Sequence, residues 1–168
     1  MDIETAIKTA IAYETKIRDI YRQAAGEVRD PAGIRILQLL GDDEQHHVEY
    51  LQDRLEKWRQ TGKLSVEKLT SAVPRRNRLA GETAKIESRM SGQDRGDEKQ
   101  ILSRALRAEI ETSRFYRRMV AQTDAEASRM FARFLEIEDG HIDVVQAELD
   151  YLSGSGYWLG IKEFDLED

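Results

Sequence analysis

Apolar residues recur along this chain at alternating steps of three and four, the spacing that lines up side chains on one face of an α-helix. The first stripe reads Ile3, Ile7, Ala10, Glu14, Ile17, Tyr21, Ala24 and Val28, and predicts a helix from about Ile3 to Val28. Asp30 followed by Pro31 is a restart signal, an N-cap and then a proline in the first turn, where a missing N–H costs no hydrogen bond. A second stripe, Leu37, Leu40, Glu44, His47, Leu51, Leu55 and Trp58, predicts a helix to about Gln60, ended by Thr61-Gly62. The third helix is expected from about Asp97 to Gln122, with Leu102, Ala105, Glu109, Thr112, Tyr116 and Met119 on its stripe. Thr123 and Glu126 form a capping-box pattern that opens the fourth. That helix carries Phe131, Phe134, Glu138, His141, Val145, Leu149 and Leu152, and stops at Ser153-Gly154.

Short gaps within each pair predict two antiparallel hairpins, and together an all-α, antiparallel four-helix bundle over residues 1–153. The hairpins are joined by a long crossover, about residues 61–96, which contains Pro74, Gly81, Gly92, Gly96 and the basic run Arg75, Arg76, Arg78. A structureless connection of that length is unusual, so a short helix is expected around Val66 to Ser71. The basic run reads first as a solvated linker and second as a docking patch for an acidic partner. Residues 154–168 read as a tail: a glycine hinge, then Tyr157, Trp158, Leu159, Ile161, Phe164 and Leu166 as anchors for packing on the bundle or a partner. The halves also repeat. Ala10, Glu14 and Tyr21 match Ala105, Glu109 and Tyr116 at an offset of 95, and Glu44 and His47 match Glu138 and His141 at an offset of 94.

Composition sharpens this picture. With 168 residues, 40% hydrophobic, 35% charged and only two prolines, the chain suits one domain of long helices with charged outer faces. A net charge of -6, from 26 basic and 32 acidic residues, gives no support for nucleic-acid binding. The absence of cysteine excludes a disulfide scaffold, a zinc ribbon, a thiol nucleophile and a thiolate-bound iron–sulfur cluster within these residues, and fits a reducing compartment. No apolar run approaches the roughly 20 residues that span a bilayer. The opening MDIETAIKTA lacks a signal-peptide pattern. A cytoplasmic location without a membrane partner is therefore expected.

The stripes contain a conflict. Glu14, Glu44, His47, Glu109, Glu138 and His141 stand where apolar residues belong, and no Lys or Arg interrupts the stripes to neutralise them. Each glutamate lies near the middle of its helix, so in an antiparallel bundle the four meet at one level. In each E-x-x-H a step of three residues turns about 300°, which aims Glu and His the same way. A buried, unpaired carboxylate costs several kcal/mol, and four together raise one another's pKa. Two divalent cations would balance them, with bridging glutamates able to hold both. Oxygen-rich ligation with two neutral imidazoles suits iron or manganese better than structural zinc. On this view Glu44→Ala abolishes metal binding and raises metal-free stability by removing a repelling charge. The bland alternative is a metal-free bundle whose stripes are phased wrongly by one position. His46 reads as a surface residue or a support behind the ligands, and Glu111 and Glu136 as solvated. Tyr21 and Tyr116 read as core aromatics or as groups that bond a ligand carboxylate or supply an electron.

With the two Glu/Tyr pairs, Glu14/Tyr21 and Glu109/Tyr116, beside Glu44-x-x-His47 and Glu138-x-x-His141, the chain resembles the ferritin-like superfamily, most closely its rubrerythrin branch. The tail from Gly156 to Glu167 is also similar to the ending of short rubrerythrin-like proteins. The resemblance implies a carboxylate-bridged di-iron centre, with manganese or mixed occupancy as variants. It implies Glu44 and Glu138 as bridging ligands, Glu14 and Glu109 as terminal ones, and one histidine per metal. It further implies reduction of hydrogen peroxide or dioxygen in oxidative-stress chemistry, with a homodimer by analogy. Three departures stand out. The cysteines of a rubredoxin-type site are missing, so electrons are expected from a separate donor protein. Thr112 stands where rubrerythrins carry an additional Glu, and His141 where they carry Glu. The six-ligand set is closer to bacterioferritin, but Gln45 replaces the haem-binding Met, so no haem is expected. A ferroxidase or iron-binding protein is the alternative function, and a metal-free helical interaction module the second.

Overall fold

The computed structural model describes residues 1–29, 31–65, 67–73, 96–153, 157–158 and 161–162. Four helices carry the architecture: α1 (Ile3–Glu27), α2 (Pro31–Thr61), α3 (Gly96–Gln122) and α4 (Ala125–Ser153). Asp2 caps α1, its carboxylate accepting from the Thr5 N–H at 2.9 Å and the Thr5 hydroxyl at 2.7 Å. The buried face of α1 is Ala6, Ile7, Ala10, Glu14, Ile17, Tyr21 and Ala24, the stripe that periodicity predicts. Pro31 opens α2, while its expected N-cap, Asp30, lies outside the described residues. Gly62 closes α2 at φ +66°, a left-handed turn suited to glycine, with its N–H donating to the Trp58 carbonyl at 2.7 Å.

The fourth helix starts one residue later than the capping-box pattern implied. Asp124 is the cap, its Oδ1 accepting from the N–H groups of Glu126 at 3.0 Å and Ala127 at 2.9 Å. A short carboxylate serves both orphan donors and the positive helix end. Thr123 instead closes α3, its hydroxyl donating to the Met119 carbonyl at 2.7 Å.

Helices α1 and α2 pack as one hairpin, α3 and α4 as the other, and α1 also packs on α3. The interior divides into two apolar clusters. One is rich in aromatics, with Phe115, Tyr116, Phe131 and Phe134 beside Ile7, Leu51 and Met130. The other is mostly aliphatic, with Ile17, Leu37, Leu40, Leu102, Val144 and Val145. Between these apolar positions along each helix fall Glu14, Glu44, His47, Glu109, Thr112, Glu138 and His141, all buried.

Past Gly62 the chain crosses the bundle without the expected short helix: residues 67–71 have no regular structure, and Val66 lies outside the described residues. Its carbonyls are taken by side chains instead of by a helical ladder. Arg54 donates to the Ser65 carbonyl at 2.7 Å, Tyr50 to that of Glu67 at 2.9 Å and Arg133 to that of Leu69 at 3.0 Å. Leu64 and Leu69 are buried in the aromatic cluster. The basic run at Arg75, Arg76 and Arg78 lies outside the described residues. At the C-terminal end Tyr157 pairs with Lys162 and Trp158 with Ile161 in a two-stranded antiparallel ribbon, β1 (Tyr157–Trp158) and β2 (Ile161–Lys162). Phe164 and Leu166 lie outside the described residues. Among the described residues, no helix is long and apolar enough to cross a membrane.

Candidate metal centre

All six residues singled out by spacing meet at the middle of the bundle, and none has measurable exposure. Helix α1 delivers Glu14, α2 Glu44 and His47, α3 Glu109, and α4 Glu138 and His141. His47 Nδ1 lies 2.9 Å from Glu14 Oε2, 3.1 Å from Glu44 Oε2 and 3.7 Å from Glu138 Oε1. His141 Nδ1 lies 2.7 Å from Glu44 Oε1 and 3.6 Å from Glu109 Oε1. The imidazoles stack, with centroids 5.7 Å apart and planes 12° from parallel. Two overlapping groups result, Glu14–Glu44–His47–Glu138 and Glu44–Glu109–Glu138–His141, in each of which one ligand atom per residue lies within 4.8 Å of the others. Glu44 and Glu138 belong to both groups.

The tyrosines cross between hairpins. The Tyr21 hydroxyl on α1 donates to Glu109 Oε1 on α3, and the Tyr116 hydroxyl on α3 donates to Glu14 Oε1 on α1. Both are core aromatics and also partners of site carboxylates. Burial, reinforced by those carboxylates, pushes both phenols well above their ordinary pKa, so they remain proton donors.

Without metal, protons hold the charges in balance. Burial and then the Glu44 charge raise Glu14 to about 8. Burial and then Glu14, Glu44 and Glu109 push Glu138 well above the carboxylate range. Glu44 goes the other way. Burial works against its ionisation, but His141 and His47 beside it hold its carboxyl below the usual value. Burial works against charging His47, yet Glu44 and Glu14 raise it to about 10. The same opposition leaves His141 well above its ordinary value, with Glu44 the strongest of the groups that raise it.

This compensation leaves donor atoms over. Glu44 Oε1, Glu109 Oε2, both Glu138 oxygens and His141 Nδ1 are buried without a hydrogen-bond partner, Glu44 Oε1 and His141 Nδ1 facing each other as an ion pair at 2.7 Å. Buried polar groups are normally satisfied. Carboxylate oxygens and an imidazole nitrogen that converge without hydrogen-bond partners fit divalent cations, and cations would replace the protons now balancing the charge.

Other residues fall as the stripes imply. His46 is exposed. Glu111 is exposed and pairs with Lys16 at 2.9 Å, and Glu136 is exposed and pairs with Arg133 at 2.6 Å. Thr112 is buried and turned back on its own helix, donating to the Ala108 carbonyl at 3.0 Å. Stripe reasoning missed Asp43, which is buried and accepts from His141 Nε2 at 3.1 Å. It lies one position off the face that the stripe defines. A signal was present all the same, an acidic residue one helical turn before His47.

A family model described as Rubrerythrin matches residues 5–149. No curated protein and no solved structure matches the chain.

Proposed function

The chain belongs to the rubrerythrin family, and from that membership we propose that it is a di-iron oxidoreductase that reduces hydrogen peroxide or dioxygen with electrons from a separate donor protein. The observation that supports this reading is the pair of four-residue groups sharing Glu44 and Glu138, in a buried layer where donor atoms are left unpartnered. Glu14 and His47 would hold one metal ion, Glu109 and His141 the other, and Glu44 and Glu138 would span both. Four carboxylates match the charge of two divalent cations, and the oxygen-rich set with two imidazoles suits iron, with manganese as the nearest substitute. When bound, two ferrous ions supply one electron each, the pair of electrons that cleaves an O–O bond.

The chain's own residues set the conditions. Tyr21 and Tyr116 hold their protons on Glu109 Oε1 and Glu14 Oε1, which orients both carboxylates and leaves Glu109 Oε2 free to act as a donor. Both histidines turn Nδ1 toward the glutamates. The aromatic and aliphatic clusters keep water from the layer, so charge is balanced inside it rather than by solvent. No cysteine lies in the chain, so the electron donor is not a thiolate iron site within these residues.

Anaerobic loading of metal-free protein with ferrous iron tests the proposal. The expected result is two ions per chain, rapid oxidation by one equivalent of peroxide in stopped flow, and re-reduction without loss of iron. Protein that binds no iron overturns the di-iron reading. Thr112, which offers no carboxylate and bonds its own helix, favours one other reading, in which iron is handled as a substrate by a ferroxidase. Release of ferric iron, or uptake well beyond two ions, would establish that reading instead.

A further inference from the structure

Asp43 is the last side chain of α2 before Glu44, and it is 1% exposed. Its Oδ2 accepts from His141 Nε2 at 3.1 Å and from the Ser71 hydroxyl at 2.5 Å, and its Oδ1 accepts from the Ala72 N–H at 2.9 Å. His47 Nε2 lies 3.8 Å from the same Oδ2, beyond hydrogen-bond reach, and has no partner. The internal repeat shows why the imidazoles differ. The offset of 94 that carries Glu44 onto Glu138 carries Asp43 onto Ile137, which is buried in the aromatic cluster. One histidine is backed by a carboxylate, and the apolar counterpart in the repeat supplies none to the other.

That difference bears on metal binding. A carboxylate behind an imidazole holds the proton on the far nitrogen, leaves the near lone pair for a metal, and raises its basicity. Loss of such a partner costs roughly ten- to a hundred-fold in metal affinity. Asp43 meets His141 at Nε2, whereas the glutamates meet both histidines at Nδ1, so Asp43 is a positioning residue rather than a ligand.

Its own orientation is set from the crossover. The Ser71 hydroxyl on Oδ2 and the Ala72 N–H on Oδ1 fix both of its oxygens. Residues 63–65 and 67–73 reach Asp43 already tied down, by Leu64 and Leu69 in the core and by Arg54, Tyr50 and Arg133 on their carbonyls.

Resting on the di-metal reading above, we propose that Asp43 makes the two metal positions unequal, the one beside His141 binding more tightly than the one beside His47, and that the docked segment of residues 67–73 sets this inequality through Ser71. By linkage the effect is reciprocal: metal beside His141 tightens docking of the segment.

The probe is Co²⁺, titrated into full-length metal-free protein and followed by calorimetry and visible absorption. Wild type is expected to bind two ions in steps about ten-fold or more apart. Asp43→Asn weakens the tighter step about ten-fold, Ser71→Ala weakens it less, and both leave the other step in place. Amide exchange over residues 67–73 slows on Co²⁺ binding in wild type, and that slowing is lost in Ser71→Ala. Two equal steps in wild type, or a Ser71→Ala protein that matches wild type in titration and exchange, overturns the proposal while the di-metal reading stands. Failure of wild type to bind two ions overturns the di-metal reading itself.

Discussion

Glu44 of the first hairpin lies 3.1 Å from His47 Nδ1 and 2.7 Å from His141 Nδ1. Glu138 stands at the equivalent register of the second hairpin, equally buried, and neither of its oxygens has a hydrogen-bond partner. The same residue type at the same depth is therefore driven in opposite directions. Two imidazoliums hold Glu44 ionised, while burial and three neighbouring glutamates keep Glu138 protonated. Depth alone does not set the charge of a buried carboxylate; the nearest charges decide its sign. This corrects the expectation that Glu44 is the repelling member of the set. In the metal-free protein it is the counter-ion, and Glu138 is the carboxyl held protonated.

Glu44→Ala breaks the comparison hardest. It removes a residue common to both candidate groups, so bound metal falls from two ions per chain to none. It also strips two imidazoliums of their counter-charge, and metal-free stability falls by about 3–5 kcal/mol in urea unfolding. A variant more stable than wild type would show that Glu44 repels its neighbours after all.

The protonation pattern gives the next largest effect. Glu14 is raised from 4.5 to about 8, so its stabilising contribution is complete below 4.5 and is lost as pH rises through about 8. His47 is raised from 6.5 to about 10, so its contribution is complete below 6.5 and is lost through about 10. Both act in the same sense. The Tm of metal-free protein, held in chelator, is expected to fall by roughly 10 °C or more between about pH 6 and pH 9. Metal-loaded protein, with cations in place of those protons, is expected to change less. A metal-free Tm that rises over this range would contradict the assigned directions.

Glu138→Gln sharpens the comparison with the smallest shift. The amide matches the shape of a protonated carboxyl, so near neutral pH the stability of the metal-free variant stays within about 1 kcal/mol of wild type. Above that range it exceeds wild type, because no charge can develop there. Chemical denaturation at two pH values measures both points, and a large loss near neutrality would mean that Glu138 carries charge in the fold.

Much of this molecule was legible in its stripes. The period of 3.6 reports directly which side chains share a face, so Glu14, Glu44, Glu109 and Glu138 stood out as acids on apolar stripes, and the bundle brings them together with His47 and His141. Ends and connections were harder to read. The capping-box pattern put the start of the fourth helix at Thr123, whereas Asp124 takes its first free N–H groups and Thr123 closes α3. The stretch from Val66 to Ser71 was expected to be helical because long bare loops are rare, yet carbonyls at Ser65, Glu67 and Leu69 found donors on Arg54, Tyr50 and Arg133, residues distant along the chain.

Local order thus determines which residues point inward, because a helix obeys its own period whatever it packs against. It does not determine how inward-pointing groups pair. That Asp43 meets His141 rather than His47, that Tyr21 reaches Glu109 across the bundle, and that Glu44 and Glu138 differ in protonation all depend on separations of a few ångströms between helices far apart in the chain. Coulomb and hydrogen-bond energies are steep over such distances in a dry interior, and only the packed bundle sets them.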